Sequence, residues 1–318
     1  MTAPARPPIG VVVSARDAAT AVDRIVEAER LGIPAAWMTT GGTGPDALTI
    51  FGAALARTER VLLGTCITPT WPRHPLSIAQ QVRALEELAP GRFRLGIGPS
   101  HEASIVAAYG VEWRTPLTQL REYVQVLKAV LQDGSVDFEG SHVTARGSIE
   151  PPPGTPVMAS ALQLRSFRMC GEYADGAISW NAPAAYLRDA ALPALREGAA
   201  AAGREPPPLL AHVPICVTED RDAVLEAGRR QLGRTAQTPF YGRMLAAAGF
   251  PDAAHDVDEA LIDALIVSGS EQQVAARLRG LLDDGMGELL VMPIGPGGSE
   301  PWIERGFAAV ARAAEELR

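Results

Sequence analysis

The sequence is short of cysteine and of aromatic residues, and it carries neither a block of like charge nor a long apolar run. Each shortage removes a class of protein. Its three cysteines, Cys66, Cys170 and Cys216, are odd in number, widely spaced and form no CxxC pair. That leaves no sign of a disulfide framework or a zinc site. A net charge of −8 without a basic patch argues against a nucleic-acid partner. The apolar runs are too short to span a bilayer, and the opening MTAPARPPIG lacks the apolar centre of a signal peptide. A soluble, cytoplasmic protein without membrane contact is expected.

What is present is a rhythm. The chain has 318 residues, 47% of them hydrophobic and 21% charged, which is the composition of a globular protein. Short β-branched runs alternate with longer amphipathic stretches. Strands are expected at 8–14, 34–40, 61–68, 92–98, 156–162, 176–181, 209–217 and 287–295. Helical spacing follows each of them. Ala18, Ala21, Val22, Ile25, Ala28 and Leu31 form the first stripe, with Asp17 to cap it and Gly32 to end it. Thr115 and Pro116 open another helix, with Leu117, Leu120, Val124, Leu127 and Leu131 on one face. A single helix is expected across 184–203, and a last one from Ser299.

Eight strand–helix units with near-continuous apolar strands predict an all-parallel sheet closed as a (β/α)8 barrel. One domain over 1–318 is expected, with surplus residues at 99–115, 135–155 and 235–265. A doubly wound open sheet competes, but PIGVVVSARD lacks the Gly-rich first turn that such folds use.

Barrel sites lie at the C-terminal ends of the strands, so the strand-end segments carry the chemistry. GIGPSH (96–101) fails the dinucleotide fingerprint, because His101 stands at the third glycine position, and no GK[ST] follows. Gly96 and Gly98 have two readings. They let the fourth strand pack tightly against its neighbours, or they let a flat ring approach the backbone beside Ser100 and His101. GTCITPTWPRHP (64–75) places Thr65, Cys66, Ile67 and Thr68 at the third strand end, followed by Arg73 and His74. SALQLRS (160–166) joins the fifth strand to a helix whose N-terminus suits a phosphate. His142 and His255 fall in insertions and are expected to face solvent, while His212 sits inside an apolar strand and reads as a core or barrel-interior residue. No H-x-H follows the first strand, and no HExxH or GxSxG occurs. A metal-dependent barrel hydrolase and a serine hydrolase are therefore disfavoured. Carboxylates are scarce at the strand ends apart from Glu102, which argues against a two-carboxylate glycosidase.

Taken together, WPRHPLSIAQQVRALEELAPGRFRLGIGPSH (71–101), PVMASALQLRSFRMCGEYADGAISW (156–180) and GSEQQVAARLRGLLDDGMGELLVMPIG (269–295) resemble the bacterial luciferase-like superfamily of flavin and deazaflavin oxidoreductases. The resemblance covers nearly the whole chain, and the TCIT and GIGPSH ends look more like members that use deazaflavin F420 than those that use FMN. It implies a (β/α)8 barrel, commonly a homodimer, with the cofactor ring at the C-terminal mouth. It also implies a non-prolyl cis bond at Cys66–Ile67 behind the ring, and a phosphate at Ser160 to Gln163. The chain departs from relatives in three places. Thr39 and Thr40 stand where some carry Asp or His, Pro99 where some carry Glu, and Gln163-Leu164 where a Gly-Pro is usual. The acid–base pair of the sugar-phosphate and alcohol dehydrogenating branches is therefore missing.

The reading implied is an F420-dependent oxidoreductase that moves a hydride between the deazaflavin and a small organic substrate. Thr65, Cys66, Ile67, Thr68, Gly98, Ser100, His101, Ser160, Ala161 and Gln163 are expected at the cofactor. Thr39, Trp180 and Asn181 are expected on the substrate side, with His101 the first candidate for proton transfer and no metal. An FMN-dependent monooxygenase is the alternative, and a non-catalytic deazaflavin-binding protein is a third.

Overall fold

The computed structural model describes residues 8–298 and 300–318. Eight parallel strands close on themselves: β1 (Ile9–Val12), β2 (Ala35–Met38), β3 (Leu62–Thr65), β4 (Phe93–Gly98), β5 (Val157–Ser160), β6 (Ala177–Ser179), β7 (Leu209–Cys216) and β8 (Glu288–Pro293). Each pairs with the next, and β8 returns to β1 through Leu290 opposite Gly10. The eightfold barrel is thus present, and the open sheet is excluded. Two short strands extend the rim. Thr68–Pro69 pairs with β4, and Val267–Ser268 pairs with β7.

The outer ring consists of α1 (Ala18–Arg30), α2 (Ala47–Leu55), α3 (Pro75–Leu88), α4 (Pro116–Lys128), α5 (Leu164–Tyr173), α6 (Leu192–Ala201), α7 (Glu271–Asp283) and α8 (Ile303–Glu316). Local chemistry starts and stops them. The Asp17 carboxylate accepts the Thr20 amide at 2.8 Å, and Gly32 leaves α1 at φ +78°. Ser270 and Gln273 form a capping box on α7. The expected C-terminal start at Ser299 lies outside the described residues; a 3-10 turn at Glu300–Trp302 leads into α8.

Three expectations are corrected by tertiary contacts. The Thr115 hydroxyl does not cap α4; it lies 2.7 Å from His142 Nε2. His142 is half-buried rather than solvated, because its ring also meets the edge of Trp71. The helix expected across 184–203 is broken into Ala184–Tyr186, a π-turn at Leu187–Ala191 and α6. Pro193 explains the break, since it has no N–H for the turn before it. The three surplus segments become a short helix (Glu102–Tyr109), an antiparallel hairpin (Ser135–Glu139 with Thr144–Ser148) and two helices (Pro239–Ala247 and Glu259–Leu265). No helix among the described residues is long and apolar enough to cross a membrane.

The barrel floor is plugged by one large ring. Trp37 is fully buried, and side chains at Gly10 and Gly64 would overlap it. Arg94 lies over its face at 4.7 Å and forms two hydrogen bonds of 2.7 and 2.8 Å to the Glu288 carboxylate. A bidentate pair in this setting keeps the guanidinium neutralised where water is scarce. Removing one partner strands the other: Glu288→Ala is expected to cost about 3 kcal/mol, read as a lower urea midpoint. The double variant Arg94→Met/Glu288→Leu is expected to lose less than Glu288→Ala alone, because no charge is left unpaired.

Candidate active site at the barrel mouth

The fourth strand organises the mouth. Arg94, Gly96 and Gly98 occupy alternate positions of β4 and so face the same side, the axis of the barrel. A side chain at Gly96 would overlap the Thr65 carbonyl oxygen and crowd Ile178. A side chain at Gly98 would overlap the Ser160 hydroxyl and press Ile67. Tight packing between neighbouring strands, the first of the two readings of these glycines, is observed.

The end of β3 is stitched to β4 by a hydroxyl. Thr65 Oγ1 donates to the Gly96 carbonyl at 2.7 Å and accepts the Gly96 amide at 2.8 Å. The peptide bond that follows, Cys66–Ile67, is cis. The chain then returns to the sheet at Thr68, opposite Ile97. Ile67 is held from outside, where its carbonyl accepts the Thr40 amide at 3.1 Å. Cys66 is buried, and burial pushes its thiol well above the usual range, so it acts as an apolar support and not as a nucleophile. Thr39 stands exposed at the end of β2.

The loops after β4 and β5 meet under the insertion. Ser100 has a positive φ of 64°, which turns the chain towards His101. The His101 ring lies 5.9 Å from that of Tyr241, in the inserted helix Pro239–Ala247. The desolvation that these surroundings impose pulls the His101 pKa below the ordinary histidine value. Gln163 Nε2 donates to the Phe240 carbonyl at 2.9 Å, so the same helix is tied to the β5–α5 turn. Ser166 Oγ accepts the amides of Leu162 and Gln163 at 3.3 and 3.2 Å and fixes the start of α5. Ser160, Ala161 and Gln163 are therefore carried on a rigid turn that leads into a helix N-terminus.

On the opposite side of the mouth, Trp180 stacks on His212 with ring centroids 3.6 Å apart and planes 15° apart. His212 is opposite Leu290 in the ladder, which is opposite Gly10, so all three face the axis. The Asn181 amide approaches His212 Nδ1 at 3.4 Å, with Asn181 at a positive φ of 47°. Among the described residues no partner is found for Nδ2 or Oδ1 of Asn181 or for His212 Nε2; the same holds for Thr68 Oγ1, on a residue in register with the outward-facing Ile97, and for Trp37 Nε1 and Arg94 Nε in the floor. Buried polar atoms usually find partners, so the three on the neighbouring residues Asn181 and His212 mark a place for a ligand. His212 belongs to this group, and its barrel-interior reading holds, since the side chain faces the axis. Its signal was available only as a polar residue on an inward position of a barrel strand. His74, by contrast, is spent on structure: Nδ1 accepts the Leu76 amide at the start of α3, and Nε2 lies 3.0 Å from the Thr144 carbonyl. Arg73 pairs with Asp46 at 3.1 Å. No group of three or more potential metal ligands occurs among the described residues.

A closed parallel barrel with polar side chains at the C-terminal ends of its strands is the architecture of a (β/α)8 barrel enzyme. The chain belongs to the luciferase-like monooxygenase family, whose model matches residues 1–287. It is 30% identical over 300 residues to the F420-dependent glucose-6-phosphate dehydrogenase of Nocardia farcinica, covering 85% of this chain and 86% of that protein. The protein of the same description from Beutenbergia cavernae is 36% identical over 203 residues, and the match spans 61% of this chain and 60% of that protein's length. Among solved structures, an F420-dependent secondary alcohol dehydrogenase in complex with an F420-acetone adduct superposes with a TM-score of 0.82. It covers 99% of this chain and 100% of that one at 20% identity, which speaks for the fold alone.

Two outcomes follow from this geometry. Gly98→Ala is expected to destabilise the protein by about 1–3 kcal/mol through overpacking, and Ser160→Gly in the same chain is expected to recover most of the loss in a double-mutant cycle. Burial lowers the His212 pKa from 6.5 to about 3. The unfolded chain therefore binds a proton between pH 6.5 and about 3 that the folded chain does not. Stability from this group is complete above pH 6.5 and falls as pH drops through that window, by roughly 1.4 kcal/mol per pH unit. Urea midpoints measured from pH 7 to pH 4 should fall less steeply in His212→Phe than in the wild type.

Proposed function

We propose that the protein is an F420-dependent oxidoreductase that passes a hydride between the deazaflavin and a small organic substrate. The observation that carries this reading is the wall at the open end of the barrel where Ile67 and Ser160 close against Gly98, with the unpartnered atoms of Asn181 and His212 left for the substrate. A flat heteroaromatic ring is a chemical match for such a wall. The apolar side chain of Ile67 and the close-packed Gly98–Ser160 wall give it surfaces to lie against. The F420-dependent dehydrogenases among the relatives support the choice of cofactor. When bound, the deazaflavin supplies hydride chemistry at C5, and the protein supplies orientation and electrostatics.

In this reading Cys66, Ile67 and Thr68 support the ring, and Thr65 acts from behind by holding the Gly96 peptide. Gly98 and Ser100 flank it. Ser160, Ala161 and Gln163 hold the phosphate, where the N-terminus of α5 adds the positive end of its dipole. His101, whose ring lies near that of Tyr241, would be the residue to take up a proton. Thr39, Trp180 and Asn181 line the substrate side. A cytoplasmic homodimer belongs to the same reading and rests on the family resemblance; sedimentation of the purified chain tests the dimer.

Paired fluorescence titrations of the apo-protein with F420 and with FMN test the assignment. Micromolar or tighter binding of F420, with FMN far weaker, is expected. Binding of FMN alone would replace the reading with an FMN-dependent monooxygenase. If neither binds, the cofactor assignment falls.

A further inference from the structure

The rim formed by β6 and β7 is more specific than a general polar lining. His212 is 3% exposed and Asn181 is 2% exposed, so neither can turn to water. The Asn181 backbone N–H points at His212 Nδ1 at 3.4 Å, which makes Nδ1 the acceptor. In a neutral imidazole the proton then sits on Nε2, and Nε2–H is a donor without an acceptor. The Trp180 ring, stacked at 3.6 Å, holds the imidazole in that orientation. Beside it the Asn181 side chain offers a second unpaired donor and an unpaired acceptor. Neither residue carries a formal charge, and neither forms an ion pair. A charged phosphate or carboxylate taken to this point would be desolvated against two uncharged side chains, with no formal charge on either to offset the cost. A carbonyl oxygen, with two lone pairs and no charge, satisfies the donors at no such cost.

We infer that Asn181 and His212 together anchor an uncharged carbonyl or amide group of the substrate, with Trp180 as the positioning residue for His212. The substrate class is thus a neutral carbonyl compound rather than a phosphorylated sugar or a carboxylate. This rests on the hydride-transfer reading and narrows it. It also differs from what the names of the glucose-6-phosphate dehydrogenase relatives specify for those proteins.

The test uses the full chain with reduced F420 and three sets of hydride acceptors (neutral cyclic enones and ketones, 6-phosphogluconolactone, and short 2-oxo acids), and separately with oxidised F420 and glucose 6-phosphate as hydride donor. Oxidation or reduction of the cofactor is followed by absorbance, and F420 affinity is measured separately on every variant. Turnover is expected with neutral carbonyl compounds. His212→Phe, which keeps a ring against Trp180, and Asn181→Gly, which tolerates the positive φ, are each expected to lower kcat/KM for them by about tenfold or more. The F420 dissociation constant is expected to stay within about twofold in both. [15N]Histidine spectra give a readout independent of turnover: His212 should appear as the Nε2–H tautomer and shift on addition of a neutral acceptor, such as cyclohex-2-enone, that is turned over. The inference is overturned if turnover is confined to phosphorylated or carboxylate compounds, if no neutral carbonyl compound is turned over by the F420-loaded protein, or if both variants keep wild-type kcat/KM. Loss of F420 binding in the wild type would instead overturn the cofactor reading, and the inference with it.

Discussion

The bidentate contact between Arg94 and Glu288, roofed by Trp37, is the constraint around which the barrel is arranged. It joins β4 to β8 across the barrel, and it fills the floor with the largest side chain available. Gly10 and Gly64 are small because Trp37 is large. A floor closed in this way leaves one open end, so the unpaired groups of Asn181 and His212 can only meet a ligand from above. The position of the site at the C-terminal rim is therefore a consequence of packing at the opposite end as well as of strand polarity.

Above that floor the same strand sets the shape of the mouth. β4 carries Arg94, Gly96 and Gly98 on one face, and each layer is closed by a neighbour: Glu288 at the bottom, the Thr65 carbonyl in the middle, and the Ser160 hydroxyl at the top. Thr65 replaces part of the ladder with its hydroxyl where β3 leaves the sheet. The bend that begins there presents Ile67 and Thr68 at the rim. Small residues in β4 thus fix where its neighbours end, and so fix the outline that a cofactor meets.

The strands were legible in the sequence because a buried parallel strand writes itself as a short β-branched run, and all eight runs became barrel strands. Asp17 and Gly32 were legible because a cap is a local event. The occupants of Gly98 were not, since Ser160 lies 62 residues away in the chain (160 − 98) and only closure of the barrel brings it there. Thr115 misled for a related reason: its hydroxyl had a local use at the helix start, and a hairpin residue, His142, took it instead. For His212 the interior position was legible and the unpaired nitrogen was not. An apolar context says that a histidine is buried, but it does not say whether its nitrogens are satisfied. The candidate residues on β3, β4, β5 and β6 were named because they fall at strand ends, a feature of order along the chain. Their relation to Tyr241 and Phe240 depends on how an insertion folds back, and no periodicity reports that.

The unpaired atoms on Asn181 and His212 tie the persistence of the fold to its surroundings. Each buried donor or acceptor without a partner costs the folded state about 1–3 kcal/mol, and a ligand that satisfies them returns that free energy only while it is bound. Unfolding of the free chain and of the occupied chain are then different equilibria, separated by RT ln(1 + [L]/Kd). The lifetime of the protein against heat and proteolysis becomes a function of the concentration of the molecule that fits its mouth. Where that molecule is scarce, the chain stands nearer its unfolding equilibrium than its packed floor alone implies.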